Sequence, residues 1–483
     1  MQTAESEKQR QKWVTMTTEP VTKLIIKLAI PTMVSMMITS IYNMADTFFV
    51  GQISSGSAEA TSATAAVGVA FPLMAVIQAF GFMFGHGSGN FISRALGGGK
   101  TEEAERMAAT GFFMALICGA ALSALGLVFL SPLARVLGST DTIMPYSTAY
   151  LRLILIGCPW MTASLVLNNQ LRFQGNALFA MIGIGSGGLI NMALDPLLIF
   201  YFDMGISGAA LATIVSQFIS FCLLLIGMRK SDNLKIRVRN FTPTGHYLKE
   251  IFRGGAPSLF RQGIGSVATA IMNNAAGAFG DPAIAAMSIV TRVMMFANSL
   301  VIGFGQGFQP VCGFNYGAKK YDRVREGFWF CVKCATVFLL GAAALGAIFA
   351  PAMISWFRAD DPEVIRIGAL AMLLQCVTLP TFGFIMIANM MMQTTAHTFQ
   401  ASVTALARQG LFFLPLILVL PPLMGLLGIQ IAQPIADGMT FVLTMFMQRQ
   451  VLSEMRRQEQ AVRTAEALSD ETVSGVSPSQ PAR

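Results

Sequence analysis

Apolar runs of 20 or more residues recur along almost the whole chain and are joined by short polar connections. Each run is long enough to cross the roughly 30 Å hydrocarbon core of a bilayer as a helix. The composition agrees, since 54% of the residues are hydrophobic and only 12% are charged, whereas a typical soluble domain is about 25% charged. The sequence therefore predicts an all-α integral membrane protein that contacts the lipid bilayer over most of its length.

The apolar runs divide into twelve predicted transmembrane spans. Their ranges are 24–50, 62–88, 107–131, 144–168, 177–201, 206–228, 251–279, 284–310, 327–355, 364–392, 398–419 and 425–447. The polar first 20 residues have no apolar core or cleavage site of a secretory signal, so we expect the first span itself to direct insertion.

Lysine and arginine cluster before the first span, after the twelfth, and in every second connection between them. The alternate connections hold few basic residues, so the positive-inside rule predicts that both termini are cytoplasmic. The net charge of +8 is therefore a topology signal. It does not indicate a nucleic-acid partner.

The chain contains an internal repeat. The stretch "GFMFGHGSGNFISRALGGGKTEEAER", which ends at Arg106, aligns with "GFGQGFQPVCGFNYGAKKYDRVRE", which ends at Glu326, and both share an F-G-x-G core. Pro31 in the first span has a counterpart in Pro257 in the seventh. Two halves of six spans have parallel orientation, and this predicts two pseudo-symmetric six-helix bundles around a central cavity.

These patterns predict five segments along the chain. They are a cytoplasmic N-terminal segment (1–23), a first lobe (24–228), a cytoplasmic linker (229–250), a second lobe (251–450) and a cytoplasmic tail (451–483). The tail is polar and ends in a Ser/Pro-rich stretch, which is typical of disorder.

Ionisable residues inside the first lobe are acidic. A charge near the bilayer centre costs about 3 kcal/mol on insertion scales, and counting residues from the span ends places Asp46, Asp195 and Thr213 at similar depth. Asn191 lies one turn from Asp195 and Tyr42 one turn from Asp46. Two desolvated carboxylates close together do not both ionise cheaply, which favours a site for H+ or Na+ over purely structural hydrogen bonding.

The second lobe is richer in buried arginine. Arg408 and Asp437 both fall near the bilayer midplane, and a structural ion pair is the simplest interpretation of them. Arg261 and Arg292 also lie near mid-depth and either line the cavity or brace helices.

Enzymatic and metal-site motifs are missing from the sequence. HExxH, GxSxG and phosphate-binding loop motifs do not occur. The "CVKC" stretch at 331–334 begins an apolar helix and has no second ligand pair nearby, so we interpret it as structural. We therefore expect a protein that is not an enzyme and holds no cofactor.

Four stretches carry a family resemblance. The sequences "ISRALGGGKTEEAER", "NMALDPLLIF", "GISGAALAT" and "PIAD" resemble the multidrug and toxic compound extrusion (MATE) transporters, and the similarity covers roughly residues 20–450. It is greatest to the DinF-like and MepA-like bacterial branch. The resemblance implies a V-shaped pair of six-helix lobes in the bacterial inner membrane, acting as a monomer. It also implies alternating access, with export of amphipathic, often cationic drugs in exchange for H+ or Na+.

The resemblance also assigns roles to residues. DinF-like members share an acid in the first helix, Asn-x-x-x-Asp in the fifth and a hydroxyl in the sixth. These ion-coupling positions, which would also be the ligands of a bound Na+, match Asp46, Asn191, Asp195 and Thr213. Tyr42 and Asn168 match polar positions that line the same lobe in the family. Arg261, Arg292 and Gln306 are further expected substrate-cavity residues, which the resemblance does not assign. The acids that NorM-like members carry in helices seven and ten have no counterpart, which argues against a cation site in the second lobe.

Pro31 is the predicted hinge, because a proline inside a helix leaves one backbone carbonyl without its donor. Two alternatives to drug export stay open at this point. A flippase for lipid-linked saccharides would also use two lobes and cavity arginines, and a membrane receptor or scaffold would need no buried carboxylates.

Overall fold

The computed structural model describes residues 2–52, 58–230, 234–357 and 361–473. Throughout these ranges the chain is helical and no strand is present, which confirms the predicted all-α class. The helices are α1 (Gln2–Thr18), α2 (Val21–Gln52), α3 (Ala58–Gly97), α4 (Thr101–Val128), α5 (Leu130–Val136), α6 (Met144–Phe173), α7 (Ala177–Pro196), α8 (Gly205–Lys230), α9 (Gly245–Gly277), α10 (Asp281–Gly317), α11 (Tyr321–Ile348), α12 (Ala350–Ser355), α13 (Pro362–Thr394), α14 (Thr398–Leu406), α15 (Leu414–Met424) and α16 (Leu426–Val473).

Eleven stretches of the described chain are helices long and apolar enough to cross a membrane. The one predicted span outside this set is the seventh (251–279), which corresponds to α9; this helix is equally long but carries Arg261, Gln262 and two asparagines in its second half. Two spans have irregular backbone. A π-helical turn follows α7 at Leu197–Tyr201, and another joins α14 to α15 at Ala407–Phe413.

The helices form two lobes that meet along α2, α3, α9 and α10. The contacting ends of α3 and α10 lead into the basic connections, and we call this side of the molecule the basic side. There, Arg94 of α3 forms a salt bridge of 3.2 Å with Glu250 of α9 and donates to the carbonyl oxygen of Thr394. Among the described residues, the interlobe hydrogen bonds run from this level to mid-depth, where Gln262 donates to Gln78.

Glycines allow the two lobes to approach backbone to backbone. A Cβ atom placed on Gly307 of α10 would lie 2.4 Å from Cα of Ala29 in α2, and one on Gly255 of α9 would lie 2.1 Å from the carbonyl oxygen of Met83 in α3. Real Cβ atoms do not approach backbone atoms so closely. The closed basic side therefore depends on residues without side chains at these positions.

We expect Gly307→Ala to force α10 away from α2 and to destabilise the closed basic side. Overpacking of this kind costs roughly 1–3 kcal/mol, so the melting temperature of the purified protein should fall by several degrees. Gly438→Ala is the matched control, because a Cβ atom on Gly438 in α16 meets nothing within 4 Å. Equal melting temperatures for Gly307→Ala and the wild type would contradict the tight contact.

The N-terminal segment is a polar helix that contacts both lobes on the basic side. Trp13 of α1 donates to the carbonyl oxygen of Gly97 in the first lobe, and Asn315 of the second lobe donates to the carbonyl oxygen of Met16. Half-buried Lys12 donates to Asn176. Desolvation, reinforced by the charge of Lys27, lowers the pKa of Lys12 to about 7.

The C-terminal tail is helical where the sequence predicted disorder, from residue 451 to Val473. Val451 and Met455 are buried, and Glu459 forms a salt bridge of 2.6 Å with Arg325. These contacts explain why α16 extends past the membrane-spanning part. Residues 474–483 lie outside the described part of the chain.

Candidate ion-coupling and substrate sites

Asp195 and Asn191 lie one turn apart on α7, and both side chains are buried. The amide nitrogen of Asn191 donates to Oδ1 of Asp195 over 3.3 Å. The α-helix ends at Pro196, which has no N–H to continue the ladder, and the π-helical turn follows. The irregular backbone therefore starts two residues after the carboxylate of Asp195. Such turns occur frequently at functional sites.

Thr213 lies on α8 beside this part of α7. Contacts on either side of it set the register between the two antiparallel helices: Gly187 against Ser220, and Leu198 against Gly208. The register places Thr213 between the levels of Asn191 and Asp195. Its hydroxyl donates to the carbonyl oxygen of Ala209 at 3.0 Å, so the hydroxyl oxygen keeps its acceptor capacity.

The position of Asp46 follows from the packing of α2 on α7. Gly188 of α7 closely approaches the ring of Tyr42 in α2. Because both helices run in the same direction, position 46, one turn beyond Tyr42, falls at the depth between Asn191 and Asp195. The side chain of Asp46 lies outside the part of the chain whose side chains are described.

The groups that the structure brings together in the first lobe are all oxygen donors: a carboxylate, an amide and a hydroxyl. Oxygen ligands suit hard cations, and a carboxylate can equally bind a proton. Among the described residues no group of three or more His, Cys, Asp and Glu side chains is placed to hold a metal ion. The chemistry of this first-lobe site therefore favours H+ or Na+ over a transition metal.

Arg408 and Asp437 are in contact in the second lobe. Nε of Arg408 lies 2.8 Å from Oδ1 of Asp437, and Nη2 lies 3.3 Å from Oδ2. Gln433 donates to the same carboxylate at 2.7 Å, and the guanidinium lies over the ring of Phe382 at 4.5 Å. The ion pair therefore links α16 to the π-helical turn that follows α14.

We expect the exchange Arg408→Asp with Asp437→Arg to recover stability that either single change removes. Removing one partner of a buried ion pair leaves an unmatched charge and lowers the free energy of unfolding by roughly 3–5 kcal/mol. Melting temperatures of the two single variants and the double variant form the test. A double variant as unstable as the sum of the singles would contradict a structural role for the pair.

Arg261 lines a small cavity in the second lobe, and Arg292 does not. The cavity has a volume of about 40 Å³ and is bounded by α9, by α13 and by the stretch that runs from α14 into the π-helical turn after it. Nη1 of Arg261 donates to Oδ1 of Asn389 over a long 3.4 Å. Arg292 is exposed on α10.

Two other predicted cavity residues form contacts within the protein. Nδ2 of Asn168 donates to the carbonyl oxygen of Ala180 at 2.9 Å, and Asn389 makes the equivalent bond to Ala401 at 2.7 Å in the second lobe. Both bonds join residues 12 positions apart, as the internal repeat requires. Gln306 is buried between the lobes.

The predicted hinge Pro31 lies where the lobes meet. α2 continues as a helix through this residue. The hydroxyl of the next residue, Thr32, donates to the carbonyl oxygen of Gly303 in α10 at 2.7 Å. A bend at Pro31 would therefore act directly on the contact between the lobes.

The sequence did not predict the buried polar network that centres on Arg172. This arginine is only 2% exposed, and its Nη1 donates to Gln306 of the second lobe. Its Nη2 donates to Asn169 at 2.6 Å and lies 3.2 Å from Nε2 of His86. Among the described residues no acid lies within salt-bridge distance of Arg172, so neutral groups alone solvate a buried positive charge.

The hydrogen bonds of the network determine which ring nitrogen of His86 carries the proton. Arginine only donates, so Nε2 of His86 must accept and the ring proton lies on Nδ1. Nδ1 then donates to the hydroxyl of Ser258 in α9 at 3.1 Å, and Gln393 donates to the same hydroxyl at 2.8 Å. The network thus crosses the lobe boundary twice, and we call it the interlobe network.

One sequence signal pointed to this network. His86 and Gln306 occupy the variable position of the two aligned F-G-x-G cores, and both are polar inside apolar spans. Arg172 gave no such signal, because the predicted fourth span ended at residue 168 and α6 ends at Phe173.

Comparisons with known proteins agree with the two-lobe fold. The family model MatE matches residues 31–197 and again residues 257–419, once in each lobe. The multidrug export protein MepA of Staphylococcus haemolyticus is 26% identical over 88% of this chain and 92% of its own length. The protein of the same name from Staphylococcus aureus is 24% identical over 87% of this chain.

Solved structures show the same fold. The outward-facing conformation of a multidrug resistance MATE family transporter superposes with a TM-score of 0.85 at 24% identity, covering 92% of this chain and 98% of that chain. A structure described as MATE in complex with MaD3S gives a TM-score of 0.85 at 25% identity, with 92% and 99% coverage.

Proposed function

Because the chain belongs to the multidrug and toxic compound extrusion (MATE) family, a family of transporters rather than enzymes, we propose that it is a secondary multidrug exporter driven by H+ or Na+. The relatives named multidrug export protein support the substrate class. The observation that carries the ion coupling is the buried oxygen site of Asp195, Asn191 and Thr213.

In this proposal the basic side is cytoplasmic and the structure corresponds to an outward-facing state. The basic connections support the orientation by the positive-inside rule, and the interlobe contacts close that side. An ion entering from outside reaches Asp195, neutralises it and rearranges the first lobe, so that substrate leaves outward. Each inward charge supplies about 2.3 kcal/mol per 100 mV of membrane potential.

The same proposal covers location and assembly. The chain works as a monomer in the bacterial inner membrane with both termini in the cytoplasm, and it uses an ion gradient without a bound cofactor. Its Asp46, one turn beyond Tyr42, is the second carboxylate of the coupling site.

The test is efflux of a fluorescent cationic dye from cells or vesicles that contain the protein. The proton and sodium gradients are collapsed separately. Loss of efflux with only one gradient identifies the coupling ion. Efflux that persists without either gradient, or no efflux at all, would refute the proposal.

A further inference from the structure

We propose that Arg261 and its neighbours form an anion subsite, which takes the carboxylate of an amphiphilic substrate. This inference rests on the proposed export function and narrows its substrate class. We define the Arg261 subsite by the side chains of Arg261, Asn389, Arg408 and Gln409 that line the cavity in the second lobe.

The first argument is charge. Among the described residues, Arg261 has no acid within salt-bridge distance, and its hydrogen bond to Asn389 is long at 3.4 Å. Two other half-buried arginines do have acidic partners, since Arg94 pairs with Glu250 and Arg325 with Glu459. An arginine bears five N–H donors, so most donors of Arg261 have no partner among the described residues.

The second argument is that the neighbouring charge is already balanced. Arg408 lines the same cavity, but the bonds of its Nε and Nη2 go to Asp437. Asp437 is held in turn by Gln433. The net charge of the cavity walls is therefore the single positive charge of Arg261.

The third argument is shape. The cavity of about 40 Å³ accepts a group of a few heavy atoms, since one water requires roughly 10–15 Å³ of the same kind of space. A whole amphiphile does not fit. A carboxylate does, and the apolar walls formed by Phe382, Ile385 and Met386 contact the carbon atoms next to it.

The fourth argument is position. Arg408 and Gln409 are consecutive residues of the π-helical turn, a departure from regular helix that is common at binding sites. Arg261 is next to Gln262, whose side chain bonds Gln78 across the lobe boundary. The subsite therefore lies on α9, the same helix that contacts the first lobe, at the depth of that contact.

The experiment compares two dyes that differ by one group. Tetramethylrhodamine carries a free carboxylate, and its methyl ester does not. Binding of each dye to the purified full-length protein in lipid nanodiscs is followed by fluorescence anisotropy. Arg261→Gln should weaken binding of the free acid about 10-fold or more, since hydrogen bonds to charged groups contribute about 1.5–3 kcal/mol. It should leave the ester unchanged.

Two variants control for charge and folding. Arg253→Gln removes the same charge from an exposed position of the same helix, α9, and should change neither dye. Arg261→Lys keeps the charge but not the planar fork, so its affinity for the free acid should lie between those of the wild type and Arg261→Gln. Ester binding by Arg261→Gln shows that the variant is folded.

The outcomes separate the inference from the proposed function. Equal effects of Arg261→Gln on both dyes, or none, would overturn the subsite. Sodium acetate that displaces the free acid with comparable affinity would show a site for free small anions only and would also overturn it. Absence of energised efflux of the ester by wild-type cells would refute the export function instead.

Discussion

Asp195→Asn should give a folded protein whose export no longer responds to an ion gradient. Asparagine keeps the shape of the side chain and its contact with Asn191, but it neither binds a proton nor attracts a cation. We expect gradient-driven transport in vesicles to fall to background, while binding of a cationic dye to the purified protein remains. Wild-type transport by this variant would contradict the coupling site.

A matched control lies eight residues further along the chain. Asp203→Asn makes the same chemical change at an exposed residue in the connection between α7 and α8. Asp203 has a positive φ of 53°, a conformation that asparagine also tolerates well. Full transport by Asp203→Asn beside no transport by Asp195→Asn would assign the loss to the buried carboxylate itself.

Gln306→Leu should open the basic side. Gln306 accepts the hydrogen bond of Arg172 across the lobe boundary, and leucine leaves that buried donor unpaired. A hydrogen bond to a charged group contributes about 1.5–3 kcal/mol, so the ratio of open to closed molecules should rise roughly 10-fold to 100-fold.

The measurement is the distance between spin labels on the basic side. Glu102→Cys and Asp322→Cys place labels on exposed first turns of α4 and α11, one in each lobe, in a protein without its native cysteines. Gln450→Leu, an exposed glutamine on α16, is the control. An unchanged distance distribution in Gln306→Leu would show that the interlobe network does not hold the lobes together.

The sequence predicted the architecture because hydrophobic length and repetition are local signals. The F-G-x-G repeat and the basic connections were sufficient to predict two lobes of six spans. The depth of Asp195 and Thr213 also followed from residue counting, since a membrane helix has a fixed rise. These features do not depend on side-chain contacts between distant helices.

The contacts that join the lobes could not be predicted in the same way. Arg172 lay beyond a predicted span end, and nothing local indicates that it meets Gln306 from the other lobe. The helix α1 is polar on every side, so no periodicity reveals its bonds to Gly97 and Asn315. The cavity at Arg261 depends on three segments that only the tertiary fold brings together.

The closed basic side also has an electrical consequence. In the proposed outward-facing state, water fills the open cleft and that part of the molecule carries little of the membrane potential. Most of the potential then falls across the packed basic side, where α3 meets α9. Arg172 carries one unit of positive charge and is buried close to this contact. A unit charge that crosses the whole potential changes energy by about 2.3 kcal/mol per 100 mV, which is comparable to one charged hydrogen bond. The voltage of the cell therefore acts on the same residue that holds the lobes together.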